Sequence, residues 1–335
     1  MHGTEKLTAV ATNIITGFLG VGKTSTIIQL MKHKPQHERW AILVNEFGEI
    51  GIDGSLMQGQ PYSDQQVYIR EVPGGCMCCA AGVPMQVALN QLLAKAKPDR
   101  LLIEPTGLGH PKEVLQVLSS DHYREVLDLH KTVTLVDARK LSDERYTNHA
   151  TFNQQIAIAD TVIGNKTDLY QSEDKQRLQD YVHEHGQPSA EVIFCQYGEI
   201  SPDILTGRSG VSLPAANHHH HHGHNHSKTL AAEADIPACG YIKAENQGEG
   251  FHSIGWRFAA NKVFSRESLS LLLTGLAAER VKAVFVTDEG VVGYNLTADT
   301  LTEIPLTQTD ESRLECIAEQ LDPALEAQLL ACLVE

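Results

Sequence analysis

No run of eighteen consecutive apolar residues occurs in the chain, so nothing in it is long enough to cross a bilayer as a helix. Positive charge is scarce: 27 Lys and Arg stand against 42 Asp and Glu, a formal charge of -15. Such a balance argues against sequence-independent binding to nucleic acid and against an anionic membrane surface. Cysteine is neither plentiful nor even in number. Seven cysteines make a poor disulfide framework, and three of them, Cys76, Cys78 and Cys79, fall within four positions. That distribution belongs to a reduced thiolate cluster and points to a cytoplasmic protein. The apolar N-terminal stretch lacks a basic lead-in and a cleavage site and runs straight into a glycine motif, so it reads as a first strand rather than a signal peptide.

What is present is ordinary for a globular protein, 42% apolar and 21% charged, and 335 residues exceed one typical domain. The first ~210 residues alternate strand-like and helical runs, the pattern of a wound α/β domain. Predicted strands are 12–16, 40–45, 67–72, 100–104, 132–137, 161–165 and 192–195, with helices over 23–34, 84–97, 111–119, 153–159 and 173–184. Continuous apolar runs such as AILVN and LLIE suit parallel strands covered on both faces. The expectation is a P-loop NTPase-type wound, mostly parallel sheet over 1–210, a His-rich linker over 211–235, and a smaller C-terminal α+β domain over 236–335. In that last part FHSIGWRF alternates with period two, SRESLSLLLTGLAAER reads as a capped amphipathic helix, and AVFVTDEGVVGYN as two strands around a turn. A final helical stretch is predicted over 310–333.

Gly17-Phe18-Leu19-Gly20-Val21-Gly22-Lys23-Thr24 matches G-x-x-x-x-G-K-[ST] between a predicted strand and a predicted helix. Backbone N–H groups at Gly17, Gly20, Val21 and Gly22 would turn around phosphate oxygens, and Ser25 continues the set into the helix. Lys23 adds a charge for the β- and γ-phosphates, and the Thr24 hydroxyl is a magnesium ligand. Asn165-Lys166-Thr167-Asp168 follows a later strand. N-K-x-D reads guanine there: the Asp168 carboxylate accepts from the ring N–H and exocyclic amine, which adenine does not match. Lys166 lies along the base and Asn165 ties the turn to the P-loop. Glu104, ending the strand LLIE, is the expected magnesium-side acid, with the Gly107 N–H sensing the γ-phosphate. Asp137 is a rival acid whose simpler reading is a cap of the segment after it.

The run Gly74-Gly75-Cys76-Met77-Cys78-Cys79 is the second signature. Thiolates favour zinc, copper(I) and related soft metals. Four residues supply two or three ligands, leaving an open position of the kind a delivery site needs; oxidation of a Cys76–Cys78 pair is the competing chemistry. Glu46, Glu49 and His110 are candidate further ligands, each equally readable as an ordinary loop residue. Cys195, Cys239, Cys316 and Cys332 read as packing residues. In the linker, His218, His219, His220, His221, His222, His224 and His226 form an internal imidazole run that binds zinc, nickel, cobalt or copper with little geometric demand.

With the P-loop, NEFGEIGIDG, GGCMCC, EPTG and NKTD in place, the whole chain resembles the CobW-type branch of the G3E GTPases. The resemblance implies a GTPase domain, a His-rich linker and a smaller C-terminal domain, with Lys23 and Thr24 on phosphate and magnesium, Asp168 on guanine, and the three cysteines on a transferred metal. Pro105 departs from the small hydroxyl residue expected in many relatives. The function implied is a GTP-hydrolysing metallochaperone that carries zinc to a client metalloprotein, with cobalt or nickel as other cargoes. Readings of a different kind are a zinc or nickel store with weak GTPase activity, and a cobalt insertase for a cofactor or metalloenzyme. A P-loop kinase is disfavoured by the N-K-x-D element. Homo-oligomerisation is left open.

Overall fold

The computed structural model describes residues 7–45, 67–72, 83–211, 234–248, 250–297 and 300–334. Among the described residues two compact units emerge: one holds 7–45, 67–70 and 83–211, and the other holds 71–72 and the residues from 234 onward. No helix among the described residues is long and apolar enough to cross a membrane.

The first unit is built on β1 (Val10–Gly17), β2 (Trp40–Asn45), β3 (Val67–Val72), β4 (Arg100–Glu104), β5 (Leu127–Leu129), β6 (Val133–Val136), β7 (Thr161–Gly164) and β8 (Glu191–Phe194). They form one sheet in the order β3-β2-β4-β1-β6-β7-β8, with β5 also on β1. The recorded pairings of β1, β2 and β4 to β8 are parallel, for example Ile14 with Ile103 and Gly17 with Leu135. Central strands in such a sheet are covered on both faces, which explains why β2 and β4 carry the unbroken apolar runs WAILV and LLI rather than alternating ones. Ile15, Ile42, Leu101, Leu102, Val133, Leu135 and Ile163 are all fully buried. Each such side chain contributes roughly 1.5–3 kcal/mol by leaving water.

The intervening helices are α1 (Lys23–Lys32), α2 (Val83–Ala96), α3 (Pro111–Leu118), α4 (Glu144–Thr147), α5 (Ala150–Ala157) and α6 (Asp174–His185). Parallel order places the carboxyl ends of β1, β4 and β7 on one edge of the sheet, where ligands of open α/β sheets bind. The P-loop, the EPTG segment and the NKTD segment leave the sheet from those three ends.

In the second unit β9 (Tyr241–Gly248), β10 (Phe251–Ala259), β11 (Arg280–Thr287), β12 (Gly290–Thr297), β13 (Leu301–Leu306) and β14 (Glu311–Ala318) form an antiparallel sheet, order β13-β12-β11-β14-β10-β9. Helices α7 (Arg266–Thr274) and α8 (Leu325–Leu330) accompany it. Ser265 caps α7, its hydroxyl accepting from Ser268 N at 3.3 Å. One expectation is overturned here. Residues 311–318 are a strand, and within 310–333 the α-helix is confined to Leu325–Leu330. The physical reason is the period of ESRLECIA. Leu314 and Cys316 join the apolar core, while the alternate residues Glu311 and Glu315 pair with β10: Arg257 Nε donates to Glu311 at 2.7 Å and Ser253 Oγ to Glu315 at 3.2 Å. A second correction concerns Cys239, which is exposed rather than packed, its thiol donating to Tyr241 O at 3.3 Å.

Candidate nucleotide site

The turn after β1 requires glycine. Gly17 stands at φ +144°, and a Cβ there would lie 2.4 Å from Leu135 O on the neighbouring strand. Gly22 stands at φ +98°, and a Cβ would meet Asn165 Nδ2 at 2.6 Å. Both positions forbid a side chain, on backbone and on steric grounds. Helix α1 begins immediately after, with Thr26 N bonded to Gly22 O at 2.9 Å, so its first N–H groups face the loop they leave. The Lys23 ammonium is buried and donates to Gly17 O at 2.9 Å and Phe18 O at 3.1 Å, folding back over the turn. The Thr24 hydroxyl donates to Glu104 Oε1 at 3.0 Å. That bond links α1 to the end of β4, and both residues are buried.

Gly107 lies against the same loop. A Cβ on it would sit 3.0 Å from Leu19 N and 3.1 Å from Lys23 Nζ. Its carbonyl accepts from the Gln155 side-chain amide at 3.0 Å, and Gln155, on α5, is 1% exposed. Sequence reasoning missed Gln155. No motif flags it: a glutamine on the inner face of a helix is visible only once α5 is seen to pack beside the EPTG turn.

The NKTD turn is joined to the P-loop directly. Asn165 Nδ2 donates to Val21 O at 2.9 Å, while its Oδ1 accepts from Gly198 N at 3.1 Å and from the Cys195 thiol at 3.3 Å. One buried amide thus holds three segments together. Lys166 adopts φ +64°, the left-handed conformation, which turns the chain sharply into the 3-10 turn Thr167–Leu169 and leaves Asp168 exposed. Thr167 N donates to Cys195 O at 3.2 Å, binding the turn to the loop after β8. Asp137 behaves as a cap. Its carboxylate accepts from Arg139 N at 3.2 Å and from Arg139 Nη2 at 2.6 Å, with Lys166 Nζ 3.9 Å away.

Cys195 is therefore a hydrogen-bond donor in the frame, not a filler of space. Burial pushes its thiol up to about 11, so it stays protonated, and a donor to Asn165, across the neutral range. A free cysteine titrates near 8.5. Alkylation of Cys195 by iodoacetamide at pH 8 is expected to run about a hundredfold slower than that of a free cysteine, because only the thiolate reacts. Peptide mapping after timed quenching measures this, and labelling at the free-thiol rate would show the thiol to be outside the frame.

The metal-side residues are not gathered in the same way. Among the described residues no group of three or more His, Cys, Asp or Glu could hold a metal ion. His110 stands at the N-terminus of α3 without capping it through its side chain. Glu46, Glu49, Cys76, Cys78, Cys79 and the imidazoles at 218–222, 224 and 226 lie outside the described residues.

The family model for the CobW/HypB/UreG nucleotide-binding domain matches residues 11–194. The zinc chaperone YeiR of Escherichia coli strain K12 is 41% identical over 310 residues, covering 92% of this chain and 92% of that protein. The zinc chaperone CobW of Pseudomonas aeruginosa is 28% identical over 229 residues, covering 61% of each chain. Among solved structures, the Zn(II)-bound YjiA GTPase from E. coli aligns with 97% of this chain and 99% of that one, at 18% identity and a TM-score of 0.45.

Proposed function

The chain belongs to the CobW/HypB/UreG family of nucleotide-binding proteins, and from that premise we propose that it is a GTP-hydrolysing metallochaperone that binds zinc and passes it to a client protein. The observation that carries the reading is the joined frame at the carboxyl edge of the sheet. Thr24 meets Glu104 at 3.0 Å and Asn165 meets Val21 at 2.9 Å, so the phosphate loop, the acid after β4 and the N-K-x-D turn form one unit. The sequence adds three clustered thiols, Cys76, Cys78 and Cys79, between the positions of β3 and α2 along the chain.

GTP enters with its phosphates on the P-loop N–H groups and the first turn of α1. Lys23 exchanges its two carbonyl partners for phosphate oxygens. Gly107, pressed against Lys23, presents its N–H toward the γ-phosphate. The Thr24 hydroxyl and the Glu104 carboxylate are buried hard oxygen donors 3.0 Å apart, a donor set that fits magnesium. When bound, that ion neutralises charge on the β- and γ-phosphates. No side chain in the frame is an evident general base, so these residues act by positioning water and stabilising charge while water attacks the γ-phosphorus and GDP leaves. Zinc is the cargo. Cys76, Cys78 and Cys79 take it as thiolates, with Glu46, Glu49 and the linker imidazoles at 218–222, 224 and 226 as further donors, so uptake releases protons and weakens as pH falls. Loss of the γ-phosphate contact at Gly107 releases the neighbouring loops and opens the cargo site.

Such a cycle demands that nucleotide and zinc affinities be coupled. Titration of zinc into the protein with a non-hydrolysable GTP analogue and with GDP should give affinities differing by about 5- to 150-fold. Equal affinities would remove the chaperone cycle. The run of seven imidazoles in the linker favours a second reading, a zinc store. Several zinc ions bound per chain without any nucleotide dependence would select it.

A further inference from the structure

We infer that Tyr197 is a stacking platform for the purine ring, setting affinity for the base independently of the hydrogen bonds that distinguish guanine. The inference rests on the proposed guanine reading of the N-K-x-D turn and deepens it. Three observations on the described residues carry it. Tyr197 is 62% exposed, and no hydrogen bond, ion pair or ring contact holds its side chain. Its backbone stands at φ +55°, a conformation that bulky side chains rarely adopt and that survives only where the surroundings impose it. The loop that imposes it is fixed both to the N-K-x-D turn, which would read the base, and to the first turn of α1, which would hold the phosphates.

The fixing is dense. Cys195 N donates to Gly164 O at 3.0 Å, Cys195 O accepts from Thr167 N at 3.2 Å, and Gly198 N donates to Asn165 Oδ1 at 3.1 Å. Gly198, at φ +72°, lies so close to α1 that a Cβ would meet Thr26 Oγ1 at 2.7 Å and Thr26 Cα at 2.8 Å. Tyr197 therefore projects from a turn gripped on one side by N-K-x-D and on the other by the first turn of the P-loop helix. A loop with no task for that position would place glycine or asparagine there and relax. An aromatic ring held out in water beside a purine-reading turn has a π face to offer, and every base presents the complementary face.

Stacking touches the base and not the phosphates. Tyr197→Ala is accordingly expected to weaken GTP and GDP by the same factor, about 5- to 150-fold, raising KM with little change in kcat. Tyr197→Phe should restore affinity, since the ring and not the hydroxyl does the work. Tyr197→Gly should bind as poorly as the alanine variant, yet melt no lower than the parent, because glycine accepts the positive φ without strain. Affinities come from equilibrium titration with unlabelled GTP and GDP, and melting from calorimetry on the full chain. Unchanged affinity in the alanine variant, or a loss that phenylalanine does not rescue, overturns the stacking role. An Asp168→Asn control keeps the two ideas apart: if it loses guanine preference while Tyr197→Ala binds normally, the guanine reading stands and stacking falls. If it keeps guanine preference, the base lies elsewhere and both fall.

Discussion

Replacing Lys23 by alanine is expected to lower GTP hydrolysis by about a thousandfold, the effect of removing a buried charge aimed at a developing anion. The ammonium lies within 3.1 Å of two P-loop carbonyls, so it is already confined to the volume that a phosphate oxygen would share. Alanine leaves those carbonyls in need of other donors, a structural cost of about 1–3 kcal/mol, which the large sheet should tolerate. Arginine is no rescue. The position of a Gly107 Cβ is only 3.1 Å from the Lys23 nitrogen, and a branched guanidinium has no room beside that turn. Phosphate release in single turnover, with excess protein over GTP, measures the chemical step. Zinc binding in the same variant should be largely spared, because the proposed ligands Cys76, Cys78 and Cys79 are not part of the phosphate loop. Hydrolysis at the parental rate would refute the role assigned to Lys23 and the mechanism with it.

Much of the nucleotide frame was legible in the sequence, for a physical reason: its motifs are backbone motifs. A G-x-x-x-x-G-K-[ST] run encodes positive φ angles and short side chains, and those conditions reappear at Gly17 and Gly22 as close approaches that no Cβ survives. The tie from Asn165 to the P-loop was also readable, because N-K-x-D presupposes it. The parallel strands were legible because burial on both faces leaves continuous apolar runs. The long-range supports were not. Gln155 reaches Gly107 from a helix 48 positions later, and Cys195 donates to Asn165 across 30 positions. Nothing local marks either residue. The β14 strand was misread as helix because leucine, glutamate and alanine dominate its stretch. Its alternation gains meaning only from partners on β10 and β11, since sheet propensity depends on neighbours more than helix propensity does. Short or polar strands such as β5, β9 and β13 lack any strong periodic signal, and pairing with a neighbour is what defines them.

Asp168→Asn should exchange guanine for xanthine as the preferred base, a shift of roughly a thousandfold or more in relative affinity. Guanine presents two adjacent donors, the ring N–H and the exocyclic amine, and a carboxylate accepts both. A carboxamide offers one acceptor and one donor, so it meets guanine with a donor facing a donor. Xanthine carries a carbonyl where guanine carries the amine and matches the carboxamide. Asp168 is exposed, so its replacement should move stability by no more than about 0.5 kcal/mol, and any loss belongs to recognition. Competition among GTP, XTP and ATP for the parent and the variant decides the matter; unchanged preference would mean that this turn does not read the base. The variant also separates two routes of coupling. If zinc affinity in it responds to XTP as strongly as the parent responds to GTP, the signal starts at the γ-phosphate and Gly107, since the base contact differs and the phosphate contact does not. A response that disappears with the base exchange would place the origin in the N-K-x-D turn, with Asn165 carrying it to the P-loop at Val21.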